Sequence, residues 1–382
     1  MKTKVIPQFV QILQHRLAER NPRIQIVLGP RQVGKSTGIG LLMRSDTKNK
    51  YHYVLGDGIP VAKWIQEQWQ VAVEKGAILV IDEVQKIPDW SEVIKKLWDE
   101  SQASKKKVKC VLLGSSSLYL QKGMSESLTG RFEVVRVCHW GYVESNKLKK
   151  MKIDEYLKFG GYPGSYQYLK DTQRWAEYLT SSIVETVLMK DILAQSRIQS
   201  PALFRQAFYI LINSPAQVLS YNKILGQLQD RGNIDLVKYY LDLIEGAFLI
   251  KPIFNFTKNE TRKRGTSPKI ITYAPSLNTF HRLSNLDSEY LGRVFESAVG
   301  AILCQNFADV TYWSKGDFEL DYVVVHKGIV IGIEVKSGRK KEAKSLARFI
   351  IQYPKSKSVF ITKENFVVFA ENPEAFLETH AL

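Results

Sequence analysis

The eight residues Gly29-Pro30-Arg31-Gln32-Val33-Gly34-Lys35-Ser36 constrain the fold more than any other segment of the chain. They satisfy G-x-x-x-x-G-K-[ST] at every fixed position. The run before them, Ile24-Gln25-Ile26-Val27-Leu28, is apolar and rich in β-branched residues, which predicts a buried parallel strand. Thr37 to Met43 can continue as a helix. Strand, loop and helix in that order build a phosphate cradle. The glycines let backbone N–H groups turn inward, and the helix N-terminus adds its partial positive charge. Lys35 would reach the β/γ-phosphates of a nucleotide, and the Ser36 hydroxyl would join a Mg²⁺ shell. The expected contacts are Gly29, Pro30, Arg31, Gln32, Val33, Gly34, Lys35, Ser36 and Thr37, and the expected ligands are ATP and Mg²⁺.

A second apolar run, Ala77-Ile78-Leu79-Val80-Ile81, ends in Asp82-Glu83. Two adjacent acids at the end of a buried strand are costly unless they serve a cation or a reaction. Asp82 would hold Mg²⁺, and Glu83 would polarise the attacking water. A third run, Cys110-Val111-Leu112-Leu113-Gly114, opens into Ser115-Ser116-Ser117. Ser115 or Ser116 would touch the γ-phosphate or the lytic water, although a serine run also suits an ordinary loop or cap. Arg131, ahead of the strand Val134–Val137, fits an arginine finger acting in cis or towards a neighbouring subunit. A structural salt bridge is its other reading.

These motifs carry a resemblance. The loop, Val80-Ile81-Asp82-Glu83-Val84-Gln85-Lys86-Ile87-Pro88, Leu113-Gly114-Ser115-Ser116-Ser117 and Glu126-Ser127-Leu128-Thr129-Gly130-Arg131-Phe132-Glu133 resemble a large bacterial and archaeal family of AAA-type ATPases. Its members join the ATPase to a C-terminal domain of long-unknown function. The likeness extends to Phe159-Gly160-Gly161-Tyr162-Pro163 and Glu245-Gly246-Ala247-Phe248-Leu249-Ile250. It departs at Met189-Lys190-Asp191-Ile192, where the family has Arg before Asp-Ile, and Lys lacks the planar fork for bidentate bonding. The resemblance implies an ATPase core and little settled biology.

The charge points to a partner. Lys and Arg total 54 against 38 Asp and Glu, a formal +16, and such a field attracts polyanions, of which DNA is the expected one. A lysine-rich solvated surface is the plainer reading. At 382 residues the chain exceeds one ordinary core and suits two to four domains. No apolar run approaches the roughly 20 residues a membrane helix needs, and no apolar segment follows the basic N-terminus, so neither a membrane span nor a secretory signal is expected. Cys110, Cys138 and Cys304 lie far apart and read as reduced thiols of a cytoplasmic protein.

Beyond the core, Asp154–Leu169 and Thr172–Leu193 alternate helical periodicity with a Gly-Gly-Tyr-Pro turn, which predicts a small lid over the nucleotide. Pro201–Asn213, Tyr221–Leu228 and Leu236–Ile244 read as helices, followed by a strand or hairpin arm at Ala247–Phe256. That is the order of a winged-helix module. Its second helix, Asp235–Gly246, mixes Lys238, Tyr239 and Tyr240 with Asp235, Asp242 and Glu245, so DNA contact and a packing role stay open. Lys258, Arg262, Lys263, Arg264 and Lys269 read as a basic loop, either an exposed linker or a phosphate-contacting arm.

In the last hundred or so residues, Phe318–Val325 and Ile329–Lys336 alternate as paired strands. Asp321, followed thirteen residues later by Glu334-Val335-Lys336, has the spacing of a PD-(D/E)xK nuclease core. Two carboxylates on adjacent strands would bind Mg²⁺, and the lysine would stabilise developing charge. Glu296, on a helix Gly292–Gln305, resembles the extra acid of that fold. A helix Lys340–Gln352 and strands Ser358–Thr362 and Phe366–Ala370 complete the expected order. Charged alternating strands also occur on plain exposed sheets, so an inactive scaffold is the alternative.

The expected architecture is α/β: a RecA-like P-loop ATPase core at 7–150, a helical lid at 151–200, a winged-helix-like module at 201–257 and a restriction-endonuclease-like α/β domain at 258–382. Two functions fit it. One is a DNA-directed ATPase whose nucleotide state controls the C-terminal domain. The other is a nucleotide-driven switch for a protein partner, with that domain inactive. A homo-oligomer or ring suits either.

Overall fold

The computed structural model describes residues 5–59, 61–104, 107–115, 127–193, 196, 198–228, 232–257, 265–338 and 344–382. The chain divides into two compact units, Met1–Cys138 with Met189–Ser196, and His139–Leu188 with Arg197–Leu382.

The first unit is built on five parallel strands: β1 (Ile24–Gly29), β2 (Lys50–Leu55), β3 (Ala77–Asp82), β4 (Cys110–Ser115) and β5 (Phe132–Arg136). They lie in the order β2-β3-β4-β1-β5. This is the doubly covered parallel sheet of a RecA-like P-loop core, with β4 between the strands that end in the loop and in Asp82. Every residue of β1 and β3 is buried, which explains why their sequences run apolar without alternation. Helices α1 (Gln8–Leu17) and α2 (Lys35–Ser45) pack Phe9, Val10, Leu13, Ile39 and Leu42 with Val27, Val80, Val111 and Leu113. Helices α3 (Lys63–Lys75) and α4 (Trp90–Ala103) bury Ile65, Trp69, Ile94 and Trp98. Gln25 is the polar exception in β1, and its amide donates to Glu133 Oε2 at 2.9 Å and to the Arg23 carbonyl at 3.0 Å.

The second unit holds the helices Pro201–Ile212, Tyr221–Leu225 and Ile234–Gly246, then the hairpin β6 (Ile250–Ile253) and β7 (Lys269–Thr272). Three helices thus precede the antiparallel pair, and Tyr240 of the third is buried against Phe204 and does not face solvent. Of the expected lid segments, the first holds an α-helix Ile153–Phe159 and a 3₁₀ turn Pro163–Tyr168, and the second is helical throughout 172–193, with the α-helix Thr172–Tyr178 continuing into the wider π-helical turns Leu179–Val184 and Val187–Leu193. Tyr156 and Leu157 belong to the hydrophobic core of this same unit.

A long helix, Ser288–Asn306, precedes β8 (Val310–Lys315), β9 (Phe318–His326), β10 (Ile329–Lys336) and β11 (Lys357–Thr362). They form one sheet in the order β11-β10-β9-β8, with only β10 and β11 parallel. Phe295, Val299 and Leu303 of the long helix cover one face with Tyr322, Val324 and Ile333. Leu346 and Phe349 of the helix Lys344–Gln352 cover the other with Trp313, Leu320 and Val323.

Two expectations are corrected here. Phe366–Glu371 is a helix and not a strand. Phe366 and Phe369 are buried three residues apart while Val368 is exposed, a helical spacing that an all-apolar run of five conceals. Lys269 does not sit in a basic loop. It lies within β7 with its side chain 1% exposed, because its charge is neutralised by acids distant in sequence. The other basic residues of that expected loop, Lys258, Arg262, Lys263 and Arg264, lie outside the described residues.

Candidate active site

Parallel strands deliver their carboxyl ends to one edge of the sheet. Gly29 at the end of β1 is in register with Ser115 at the end of β4, and β3 ends beside them at Asp82. The loop leaves β1 through Gly29, where a Cβ would stand 2.1 Å from the Val137 carbonyl oxygen. Gly34 has φ +91° and caps α2, a conformation costly for any residue with a Cβ. Arg31, Gln32 and Val33 form the loop between them, with Gln32 at φ 60°, and Thr37 lies in the first turn of α2.

Lys35 opens α2 and is 8% exposed. Its ammonium donates to the Gly29 carbonyl at 2.9 Å and the Pro30 carbonyl at 2.6 Å, so the positive charge is held within the loop. Next to it, the Ser36 hydroxyl donates to Asp82 Oδ2 at 2.6 Å. The same oxygen accepts from the Tyr53 hydroxyl at 2.6 Å, and Oδ1 accepts from the Glu83 N–H at 2.9 Å. Asp82 is therefore buried, at 4% exposure, with three donors fixing its plane. Burial and the Asp82 hydrogen bond both raise the Tyr53 hydroxyl above its ordinary pKa, so Tyr53 stays a donor.

Glu83 adopts φ 55°, outside the regions a non-glycine residue favours. It turns the chain off β3 into the short helix Val84–Lys86, and the Gln85 amide donates to Glu83 Oε2 at 2.5 Å. Backbone strain of this kind persists only where surrounding structure enforces it. The hydroxyl of Ser36 and the carboxylate of Asp82 are hard oxygen donors within one hydrogen bond of each other. That pair suits Mg²⁺, which takes one or two protein oxygens and leaves its other positions to phosphate and water.

Tyr53 and Gln85 were not legible as site residues. Tyr53 reaches Asp82 only because β2 lies beside β3, with Leu55 in register with Asp82. Of the expected serines, Ser115 ends β4 in register with Gly29, and Ser116 lies outside the described residues.

Arg131 lies elsewhere. The pairing of Phe132 with Ile24 places it at the amino end of the sheet, six strand positions, or roughly 20 Å, from Gly29. Its guanidinium grips Asp99 with two bonds of 2.7 and 2.9 Å and donates to the Thr129 carbonyl at 3.1 Å. A finger acting in cis is thereby corrected: β5 runs parallel to β1, so the residue before β5 starts at the end remote from the loop.

The C-terminal acids do converge, within the second unit. Asp321 Oδ2 accepts the Val335 N–H at 2.7 Å, and Lys336 Nζ lies 2.5 Å from Glu334 Oε1. Glu296 is joined to them by Lys269, whose Nζ stands 2.6 Å from Glu296 Oε1, 3.2 Å from Glu319 Oε1 and 3.6 Å from Asp321 Oδ1. Burial pushes the carboxyls of Glu296 and Glu334 above the usual carboxylate range, and the Asp321 charge adds to both shifts. Burial alone would lower the Lys269 ammonium, but Glu296, Asp321 and Glu319 outweigh it and hold it charged. No group of three or more His, Cys, Asp or Glu among the described residues has the geometry of a metal site.

Comparison with known proteins adds the following. Residues 21–146 match the family described as AAA domain. Residues 150–289 and 291–379 match two families described only as domains of unknown function, DUF8612 and DUF4143. No curated protein matches the chain. Among solved structures, the chain is similar to the Thermotoga maritima RuvB Holliday junction branch migration motor, with 12% identity and a TM-score of 0.34, over 63% of this chain and 86% of that one. A singly substituted form of the same protein gives 12% identity and a TM-score of 0.34 over 64% and 88%. No helix among the described residues is long and apolar enough to cross a membrane. Loop, buried acid and strand order agree with the first of the family matches, and residues 21–146 have the features of an AAA-type P-loop domain, which support nucleotide binding and hydrolysis.

Proposed function

We propose that this protein is a Mg²⁺-dependent ATPase that acts on DNA. The observation that carries the hydrolytic half is the 2.6 Å bond between Ser36 and Asp82, beside a lysine already held in the phosphate loop. In this reading the loop amides and Lys35 bind the β- and γ-phosphates of ATP, and Ser36 and Asp82 hold the metal. The ion, when bound, neutralises charge that develops on the phosphates. Glu83 orients and deprotonates the attacking water, and Ser115 or Ser116 stands at the γ-phosphate. DNA is supported by the formal charge of +16, which draws a polyanion to the surface. Nucleotide state then controls how the C-terminal domain engages it.

The test is ATP turnover with and without Mg²⁺ and with single-stranded, duplex and branched DNA, using Lys35→Ala as blank. Stimulation by one DNA form names the substrate. A rate that ignores all of them, without DNA binding at moderate salt, removes DNA from the reading. A specific observation favours the second reading, a nucleotide-driven switch with a C-terminal domain that does not cut. The acids that a nuclease needs for its metal are already ion-paired to Lys269 and Lys336. ATP-dependent co-purification of a protein from nuclease-treated lysate, together with DNA-independent turnover, would select it.

A further inference from the structure

Lys269 deserves the position of a metal more than that of a lysine. It is 1% exposed, and its ammonium lies among Glu296 from the long helix and Glu319 and Asp321 from β9. It also lies 3.4 Å from the Asp321 carbonyl oxygen and 5.3 Å from the centre of the Tyr322 ring. The backbone fixes the residue from both sides: β7 pairs Lys269 with Ile253 of β6, and Val218 bridges to it from the other edge. Glu334, the second acid of the expected nuclease set, gives one oxygen to Lys336. Its other oxygen is buried without a hydrogen-bond partner.

Mg²⁺ binding at Asp321 and Glu334 requires carboxylate oxygens about 2.0–2.1 Å from the ion in near-octahedral order. An ammonium on the same carboxylate would repel it across a few ångströms of low-dielectric interior, where two like charges interact far more strongly than in water. The residues present do not fit the metal. We infer that the Lys269 ammonium is the resident cation of this acidic centre, and that it excludes divalent metal from Asp321 and Glu334. The C-terminal domain in this fold does not cut nucleic acid by metal-assisted hydrolysis, and its acids serve to lock β7 to the sheet. This inference is independent of nucleotide hydrolysis at the P-loop.

The experiment is Mn²⁺ binding to the full chain without nucleotide, in an Asp82→Asn background that removes the ATPase metal site. Mn²⁺ uptake is compared with and without Asp321→Asn, which keeps an acceptor for the Val335 N–H. The expected result is no Asp321-dependent uptake. Lys269→Met should then gain about one equivalent of Mn²⁺ per chain, lost again on adding Asp321→Asn, because freed hard oxygens favour such an ion. Asp321-dependent uptake in the chain that retains Lys269 overturns the inference. So does a folded Lys269→Met protein that gains none. If Lys269→Met does not fold, Lys269→Gln replaces it. If neither folds, the comparison in the chain with Lys269 decides alone.

Discussion

Tyr53 donates its hydroxyl to the same Asp82 oxygen that accepts from Ser36, each at 2.6 Å. Tyr53 belongs to β2, at the open edge of the sheet, whereas Ser36 lies in the first turn of the helix behind the phosphate loop. Asp82 is thus oriented from two elements at once, β2 and the helix that follows the phosphate loop. A residue that orients a metal-holding carboxylate acts on metal affinity before it acts on turnover. Tyr53→Phe should therefore raise the Mg²⁺ concentration for half-maximal ATPase by about tenfold, with a smaller change in kcat at saturating Mg²⁺. A Mg²⁺ titration of the steady-state rate checks this, and an unshifted midpoint would make Tyr53 a packing residue.

Glu83 and Lys35 should fail in different ways. Lys35→Ala removes a phosphate contact and should weaken ATP binding and turnover together. Glu83→Gln should keep nucleotide binding while turnover falls by about 10²-fold or more, the loss typical of a removed general base. Binding of a fluorescent ATP analogue, set beside the hydrolysis rate, separates the two.

Arg131 tests whether subunits cooperate. Its position at the far end of β5 gives it no route to the loop of its own chain. Arg131→Ala should hydrolyse ATP at the parental rate at dilutions where the protein is monomeric. In an assembled state, mixing Arg131→Ala with Lys35→Ala should restore activity only if the arginine serves a neighbour. Otherwise the Arg131–Asp99 pair is a surface contact, and a double-mutant cycle should show little coupling between the two residues.

The helix at Phe366–Glu371 makes a prediction about stability. Phe366 is fully buried against Tyr142, Phe295 and Phe369. Phe366→Ala should destabilise the second unit by roughly 3–5 kcal/mol, through lost transfer energy and a residual cavity. Val368→Asn, on the solvent side, should change stability by less than about 0.5 kcal/mol. Urea unfolding of the full chain, followed on the second unit's transition, distinguishes this pattern from that of a strand. In a strand, Phe366, Val368 and Ala370 would share one face.

What could be read from the sequence follows from how local each requirement is. The phosphate loop demands a strand, glycines, a lysine and a hydroxyl within a dozen residues, so Gly29 to Thr37 announce themselves. Asp82 is equally plain at the end of an all-apolar strand. Tyr53 is not, because its role depends on which strand lies beside β3. Lys269 was hidden for a related reason. It follows a stretch dense in Lys and Arg, yet its partners Glu296, Glu319 and Asp321 arrive from 27 to 52 residues further along. Arg131 fitted its motif, and only the register of β5 against β1 revealed the end of the sheet to which it belongs.

The division of the chain also bears on how it can be taken apart. The backbone passes from one unit to the other at 138/139, returns at 188/189 and leaves again at 196/197. No single scission separates the two units. A fragment ending at Cys138 would lack Met189–Ser196, and one beginning at His139 would carry that segment without its own unit. The halves are therefore not joined by one linker, and parting them would cut the backbone at three places rather than one.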